Sequence, residues 1–307
     1  MPGMALNPRF LTAAAASAAM LILTACDRAK APSTEAPAGF DKARLEAEID
    51  SHFGGVGTCM VLADTRTGRT LYRYGSHTVC MRQLPPCSTF KIPNSLIALD
   101  AGIVTPTTVY KWDGKPQPVT AWEQNADMKS AFRNSIVWWY QRVARQVGRA
   151  AYEERLKAFD YGSEKPEGPI DSFWLGPWAK GGLVISTEQQ IDFLGRFYND
   201  RLPVKPESAA FVKEIMVDTR YGRSVMSGKT GSCSTQADGA RDVAWWVGRV
   251  QSAPNDVLFA VSLVGESGDV LPSGELATRV RSAFTAAGLW PRADAVAPGS
   301  DAPSPSA

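Results

Sequence analysis

Histidine is almost missing from this chain: His52 and His77 are the only two in 307 residues. Two are too few for a His-rich zinc hydrolase site, and neither falls in an H-x-H or H-E-x-x-H pattern, so no metal site is expected. A Ser-His-Asp triad needs a single His, but the G-x-S-x-G turn that would present its serine is lacking as well. An enzyme made from this sequence is therefore expected to take its base from another side chain. A surplus of one charge is also missing. Lys+Arg number 33 and Asp+Glu 31, a net of +2, and no basic stripe is interleaved with aromatics, which speaks against nucleic acid as a partner. There is no internal repeat and no linker inside the body of the chain, so one domain is expected. Hydrophobic content of 44% and charged content of 21% are those of an ordinary globular protein, and the length leaves ample apolar surface for a core. Tryptophan, by contrast, is plentiful: nine residues, with pairs at Trp138-Trp139 and Trp245-Trp246. Core packing is the ordinary explanation for any one of them.

The N-terminus has the pattern of an address. Residues 10–25 carry no charge and follow Arg9, a signal-peptide pattern too short and wrongly flanked for a membrane span. It ends in Leu23-Thr24-Ala25-Cys26, which resembles the lipobox of bacterial lipoproteins. Residues 1–25 are thus expected to be a lipoprotein-type signal peptide, with Cys26 the lipidated residue and the multiple acyl chains a stable anchor. Plain soluble export is the alternative. Either way an exported, periplasmic protein is expected, touching the membrane only through that lipid. Asp27 stands where enterobacterial lipoproteins carry an inner-membrane retention signal. Residues 26–39 read as a Pro/Ala/Ser tether and 293–307 as a disordered tail, leaving 40–292 as the folded domain.

Within that domain, 41–53 suggests an amphipathic helix. Residues 58–62 and 70–74 suggest two strands around the turn Asp64-Thr65-Arg66-Thr67-Gly68. Ile136, Tyr140, Val143, Ala144 and Val147 keep a 3.6-residue period, and Ser186-x-x-Gln189 resembles a capping box before a helix through Tyr198. Strands return near 224–231, 243–250 and 257–264, and a last helix spans about 275–287. Strands at both chain ends with helices between them suggest one antiparallel sheet covered by helices.

Ser88-Thr89-Phe90-Lys91 opens the run STFKIPNSLIALDAG. Residues three apart share a helix face, so Ser88 Oγ and Lys91 Nζ could meet, giving a nucleophile and a base without histidine. Pro93 places a regular helix start close to Ser88, and a helix start brings backbone N–H groups to the serine. S-x-x-K alone is weak, since a chain of this length holds roughly one by chance. Lys229-Thr230-Gly231 is rarer, about 0.1 by chance, and its Gly would let a substrate approach the strand backbone. Ser135-Ile136-Val137 gains meaning only from the order S-x-x-K, S-x-V, K-T-G.

These motifs, together with LPPCSTFKIPNSLIALDAG, KWDGK (111–115), AWE (121–123), FDYG (159–162), DSFWLG (171–176) and DVAWWVGRV (242–250), resemble the class D β-lactamases, the oxacillinases, over most of 50–270. The resemblance implies the fold of the serine β-lactamases and penicillin-binding transpeptidases: an α+β (α/β) domain with an antiparallel five-stranded sheet flanked by helices, plus an all-helical region. It implies hydrolysis of small-molecule β-lactams, with Ser88 attacking the lactam carbonyl and the backbone N–H groups of Ser88 and Ser232 forming an oxyanion hole. A lysine is protonated at neutral pH unless burial lowers its pKa, and burial among Phe90, Ile92, Val137 and Trp174 would do so. The neutral amine could then add carbon dioxide. By resemblance, this carboxylated Lys91 is the general base, Trp174 hydrogen-bonds the carbamate, Val137 covers it, Ser135 relays a proton and Lys229 sets the field. Carbon dioxide as that carbamate is the only cofactor implied. Trp122, Thr230, Gly231 and Ser232 line the substrate cleft.

Two departures stand out. Tyr161-Gly162-Ser163 replaces a common Y-G-N. The Arg that many relatives place near Leu271-Pro272-Ser273-Gly274 is missing, with Gly274 there and Arg279 five residues on, so the group holding the substrate carboxylate is open among Thr230, Ser232 and Lys229. Apart from Cys26, the cysteines 59, 80, 87 and 233 allow three full pairings, and export favours disulfides. Some class A carbapenemases, a related family, place a disulfide at the motif-relative positions of Cys87 and Cys233, and the resemblance implies that pair here. Cys59 with Cys80 is left open. Two other functions compete: a β-lactam sensor that acylates without turnover, disfavoured because a sensor usually sits on a multi-spanning receptor, and a peptidoglycan transpeptidase relative, disfavoured by the FWLG segment and the lack of extra domains.

Overall fold

The computed structural model describes residues 40–176, 182–234 and 241–292. The expected signal peptide, Cys26, the tether and the tail lie outside the described residues. The hairpin opens the sheet: β1 (Gly57–Asp64) pairs with β2 (Thr70–Tyr74). Its turn is the expected one, with Asp64 Oδ1 accepting from the Thr67 N–H at 2.7 Å and Gly68 at φ +73°, a left-handed position that suits glycine. The chain returns to the sheet as β3 (Val217–Tyr221), β4 (Ser224–Ser234), β5 (Arg241–Ser252) and β6 (Asn255–Glu266). Strand order is β2-β1-β6-β5-β4-β3, and every neighbour is antiparallel.

Six strands replace the five expected. The extra one is β3, a five-residue edge strand whose residues alternate only between half-buried and exposed. Val217, Thr219 and Tyr221 are half-buried and alternate with the exposed Asp218 and Arg220, a strand pattern only five residues long that was not among those expected.

The strands alternate their side chains between two faces. On β5, Trp246 points to the back, among α1 (Lys42–Phe53) and α9 (Ser273–Ala286), while Trp245 points forward into the larger cluster. α1 is capped by Asp41, whose side chain accepts from the Arg44 N–H. Between β2 and β3 run α2 (His77–Cys80), α3 (Lys91–Asp100), α4 (Met128–Arg133), α5 (Val137–Val147), α6 (Arg149–Ala158), α7 (Thr187–Tyr198) and α8 (Pro206–Ile215). The capping box read at Ser186 and Gln189 is present at the start of α7, and a second, unforeseen one, Asp127 with Ser130, starts α4.

Candidate active site

The first turn of the Ser88 helix is tighter than expected. Cys87–Phe90 is a 3-10 turn, and α3 begins only at Lys91. In a 3-10 turn residues three apart eclipse, so Lys91 sits directly over Ser88: Lys91 Nζ donates to Ser88 Oγ at 2.8 Å. Three braces hold the turn. The Cys87 N–H donates to the Trp174 carbonyl at 2.9 Å, Thr89 Oγ1 donates to the Pro86 carbonyl at 2.6 Å, and Trp245 Nε1 from β5 donates to the Pro85 carbonyl at 2.9 Å. Trp245 was legible in the sequence only as half of an aromatic pair.

Gly231 of the K-T-G strand explains how β4 comes so close. A Cβ added there would lie 3.1 Å from the Pro86 carbonyl oxygen and the Thr89 nitrogen and 3.2 Å from the Ser88 nitrogen. The glycine thus admits the backbone of the nucleophile's own turn, whereas the sequence suggested that it admits substrate. One residue past Ser232, Cys233 is joined to Cys87 by a disulfide with Cα atoms 5.7 Å apart. A second disulfide joins Cys59 to Cys80, settling the pair left open above.

The amine of Lys91 is cut off from water. The residue is 1% exposed, and Phe90 beneath it stacks on Trp174 with ring centroids 5.4 Å apart. Lys91 Nζ also lies 5.3 Å from the centre of the Tyr140 ring, whose hydroxyl is bonded to Ser95 at 2.8 Å. Burial, and then the charge of Lys229, hold the Lys91 amine well below the ordinary lysine range. Lys229 is itself 5% exposed, and burial, opposed in part by Asp218, brings it down to about 7. Its Nζ donates to the Thr230 carbonyl at 3.0 Å and lies over Phe132 of α4.

Ser135 occupies the bend between α4 and α5 at φ +55°. Among the described residues its hydroxyl makes no hydrogen bond to Lys91 or Lys229. Val137 is the first residue of α5. Trp122 is tied to the same bend: its Nε1 donates to the Asn134 carbonyl at 3.0 Å, and its own carbonyl accepts from Trp138 Nε1 at 2.8 Å. Trp174 is fully buried, and its indole N–H has no partner among the described residues. Ser163, the departure from Y-G-N, keeps a hydrogen bond, accepting at Oγ from the Val184 N–H at 3.3 Å.

A hydroxyl bonded to an amine whose pKa burial lowers can give up its proton and attack a carbonyl, so the arrangement suits acyl transfer through serine and lysine. The penicillin-binding-protein transpeptidase domain matches residues 58–281. The chain is 41% identical to the β-lactamase OXA-48 of Klebsiella pneumoniae over 58% of its length, spanning 65% of that enzyme. It is 36% identical to OXA-10 of Pseudomonas aeruginosa over 61% of its length and 69% of that enzyme. The solved class D β-lactamase YbXI from Nostoc superposes with a TM-score of 0.70 at 30% identity, covering 80% of this chain and 99% of that one. The chain belongs to the transpeptidase-domain family of penicillin-binding proteins and, within it, to the class D β-lactamases.

Proposed function

We propose that the protein hydrolyses β-lactam antibiotics through a Ser88 acyl-enzyme. The observation that carries this reading is the 2.8 Å hydrogen bond from a buried Lys91 amine to Ser88 Oγ. As Oγ bonds to the lactam carbonyl carbon, its proton passes to the base on Lys91. The backbone N–H groups of Ser88 and Ser232 face the oxyanion. The C–N bond then breaks and the nitrogen takes a proton by way of Ser135, with Lys229 setting the local field. Water, deprotonated by the same base, releases the product acid and frees Ser88.

Carbon dioxide fits this pocket as a modifier of Lys91. The amine is held neutral, as carbamate formation requires, and the buried N–H of Trp174 lacks an acceptor. Bound there, the group would supply an anionic base that serves acylation and deacylation alike. Lys91 would carry it, Trp174 would hold it and Val137 would cover it, while Trp122, Thr230 and Gly231 line the cleft for substrate. The protein is further proposed to be exported to the periplasm and anchored through a lipid on Cys26, which a lipid-modified N-terminal peptide in a mass spectrum would establish.

Turnover of oxacillin and of a chromogenic cephalosporin tests the main reading. Sustained steady-state hydrolysis is expected. A burst of one equivalent with no further product would replace the enzyme by a sensor-like protein that acylates only.

A further inference from the structure

β3 stops pairing with β4 at Ser227. Beyond that point the outer edge of β4 opens into a cavity of about 290 Å³, which reaches Lys229 and Thr230. α4 contributes Lys129, Phe132 and Arg133 to its lining, and Glu214, Asp218 and Ala277 contribute from α8, β3 and α9. The charges in it do not cancel. Lys129 pairs with Glu214 at 3.3 Å, and Asp218 is met by Arg281 of α9. What is left over is the guanidinium of Arg133, beside the amine of Lys229, which burial brings down to about 7. Arg133 is exposed, and it makes no ion pair or side-chain hydrogen bond among the described residues.

α9, by contrast, leaves no unpaired cation here: its Arg281 is held on Asp218. The α9 residue that lines it is Ala277, a methyl group. Gly274 lies in open surroundings, and Arg279 is bound to Glu275 one turn away on the same helix. A penicillin, cephalosporin or carbapenem carries a carboxylate next to its lactam nitrogen. An unpaired planar guanidinium in the lining of this cavity, two residues before Ser135, suits that group.

We propose that Arg133 grips the carboxylate of the substrate, beside Lys229 and Thr230, and so makes the enzyme selective for acidic β-lactams. The proposal rests on the β-lactamase reading above.

The test compares kcat/KM for benzylpenicillin and for its methyl ester, which keeps the lactam and loses the charge. The wild-type protein should prefer the acid at least about tenfold, in line with one charge-assisted hydrogen bond. Arg133→Ala should lose most of that preference, mainly through a raised KM for the acid, and hydrolyse the ester at the wild-type rate. Arg133→Lys should recover part of the preference, and Lys129→Ala should retain it in full. An Arg133→Ala variant with the wild-type acid-to-ester ratio overturns the assignment. A wild-type protein that turns over neither compound overturns the β-lactamase reading itself, and the anchor with it.

Discussion

Behind the sheet, α1 and α9 enclose a cluster in which Trp246, Phe259 and Phe284 stack and cross at centroid distances of 4.6 to 6.4 Å. In front, the next residue of the same strand, Trp245, spends its indole N–H on the loop that presents Ser88. Lys91, Asn94, Ser95 and Lys229 are all buried on that side. Its bends are costly too: Cys87 and Ser135 both hold positive φ, at 49° and 55°, a conformation that non-glycine residues keep only when their surroundings over-determine it. Among the described residues, the front also leaves the Trp174 indole N–H and the side-chain NH2 of Asn94 buried without partners. One sheet thus supports a face whose packing stabilises and a face that sacrifices stability to keep two lysines dry.

The largest separation of the two faces should come from paired substitutions. Lys91→Ala removes the proposed general base and should lower kcat by about 10²–10⁴, with melting temperature unchanged or raised, because a buried amine is removed. Phe284→Ala on the back should cost about 3–5 kcal/mol of stability and leave kcat/KM at 25 °C near the wild-type value wherever the protein is folded. Denaturant melts and steady-state rates on the same samples decide it. If Phe284→Ala changed the rate as much as Lys91→Ala, the division would be false.

Next in size is the tie across the front. The Cys87–Cys233 bond spans 146 residues of sequence, and the chain-entropy model gives a loop of that length about 4–5 kcal/mol. Cys87→Ser with Cys233→Ser should lose stability of that order in urea melts. Activity should fall as well, because the bond holds the nucleophile's turn against the K-T-G strand. A double variant as stable as the oxidised parent would contradict this.

The last effect is a slope, small over any one pH unit. Folded, Lys229 releases its proton near 7, whereas in the unfolded chain it holds it to about 10.4. Between those values the unfolded state binds the extra proton, so stability rises with pH, by up to about 1.4 kcal/mol per unit. The gain is complete above the unfolded value and is lost as pH falls through 7. Lys229→Met should flatten this part of the stability curve, while a change to a back-face residue should not.

How much could be read in advance follows the same division. The back face and the central strands were legible, because β5 and β6 are buried apolar runs and the α7 capping box has a sequence signature. On the front, the order of Ser88, Ser135 and Lys229 carried the family resemblance, and Lys91 beside Ser88 follows from spacing alone. Pairing geometry and long-range contact were not legible. β3 is a five-residue edge strand, too short for the alternation of Val217, Thr219 and Tyr221 with charged residues to stand out. The 3-10 turn at Cys87 depends on braces from Trp174 and Trp245, 87 and 158 residues away. The role of Gly231 depends on which backbone lies opposite it.

The central claim is that the dry front pocket keeps Lys91 neutral so that it can carry carbon dioxide as its base. Carbon-13 NMR of the protein in labelled bicarbonate, run alongside the rate of oxacillin turnover, tests it most directly. The account predicts a single carbamate resonance, missing from Lys91→Ala, whose intensity and the rate fall together as bicarbonate is removed or the pH is lowered. Full activity in carbon-dioxide-free buffer with no such resonance would contradict it.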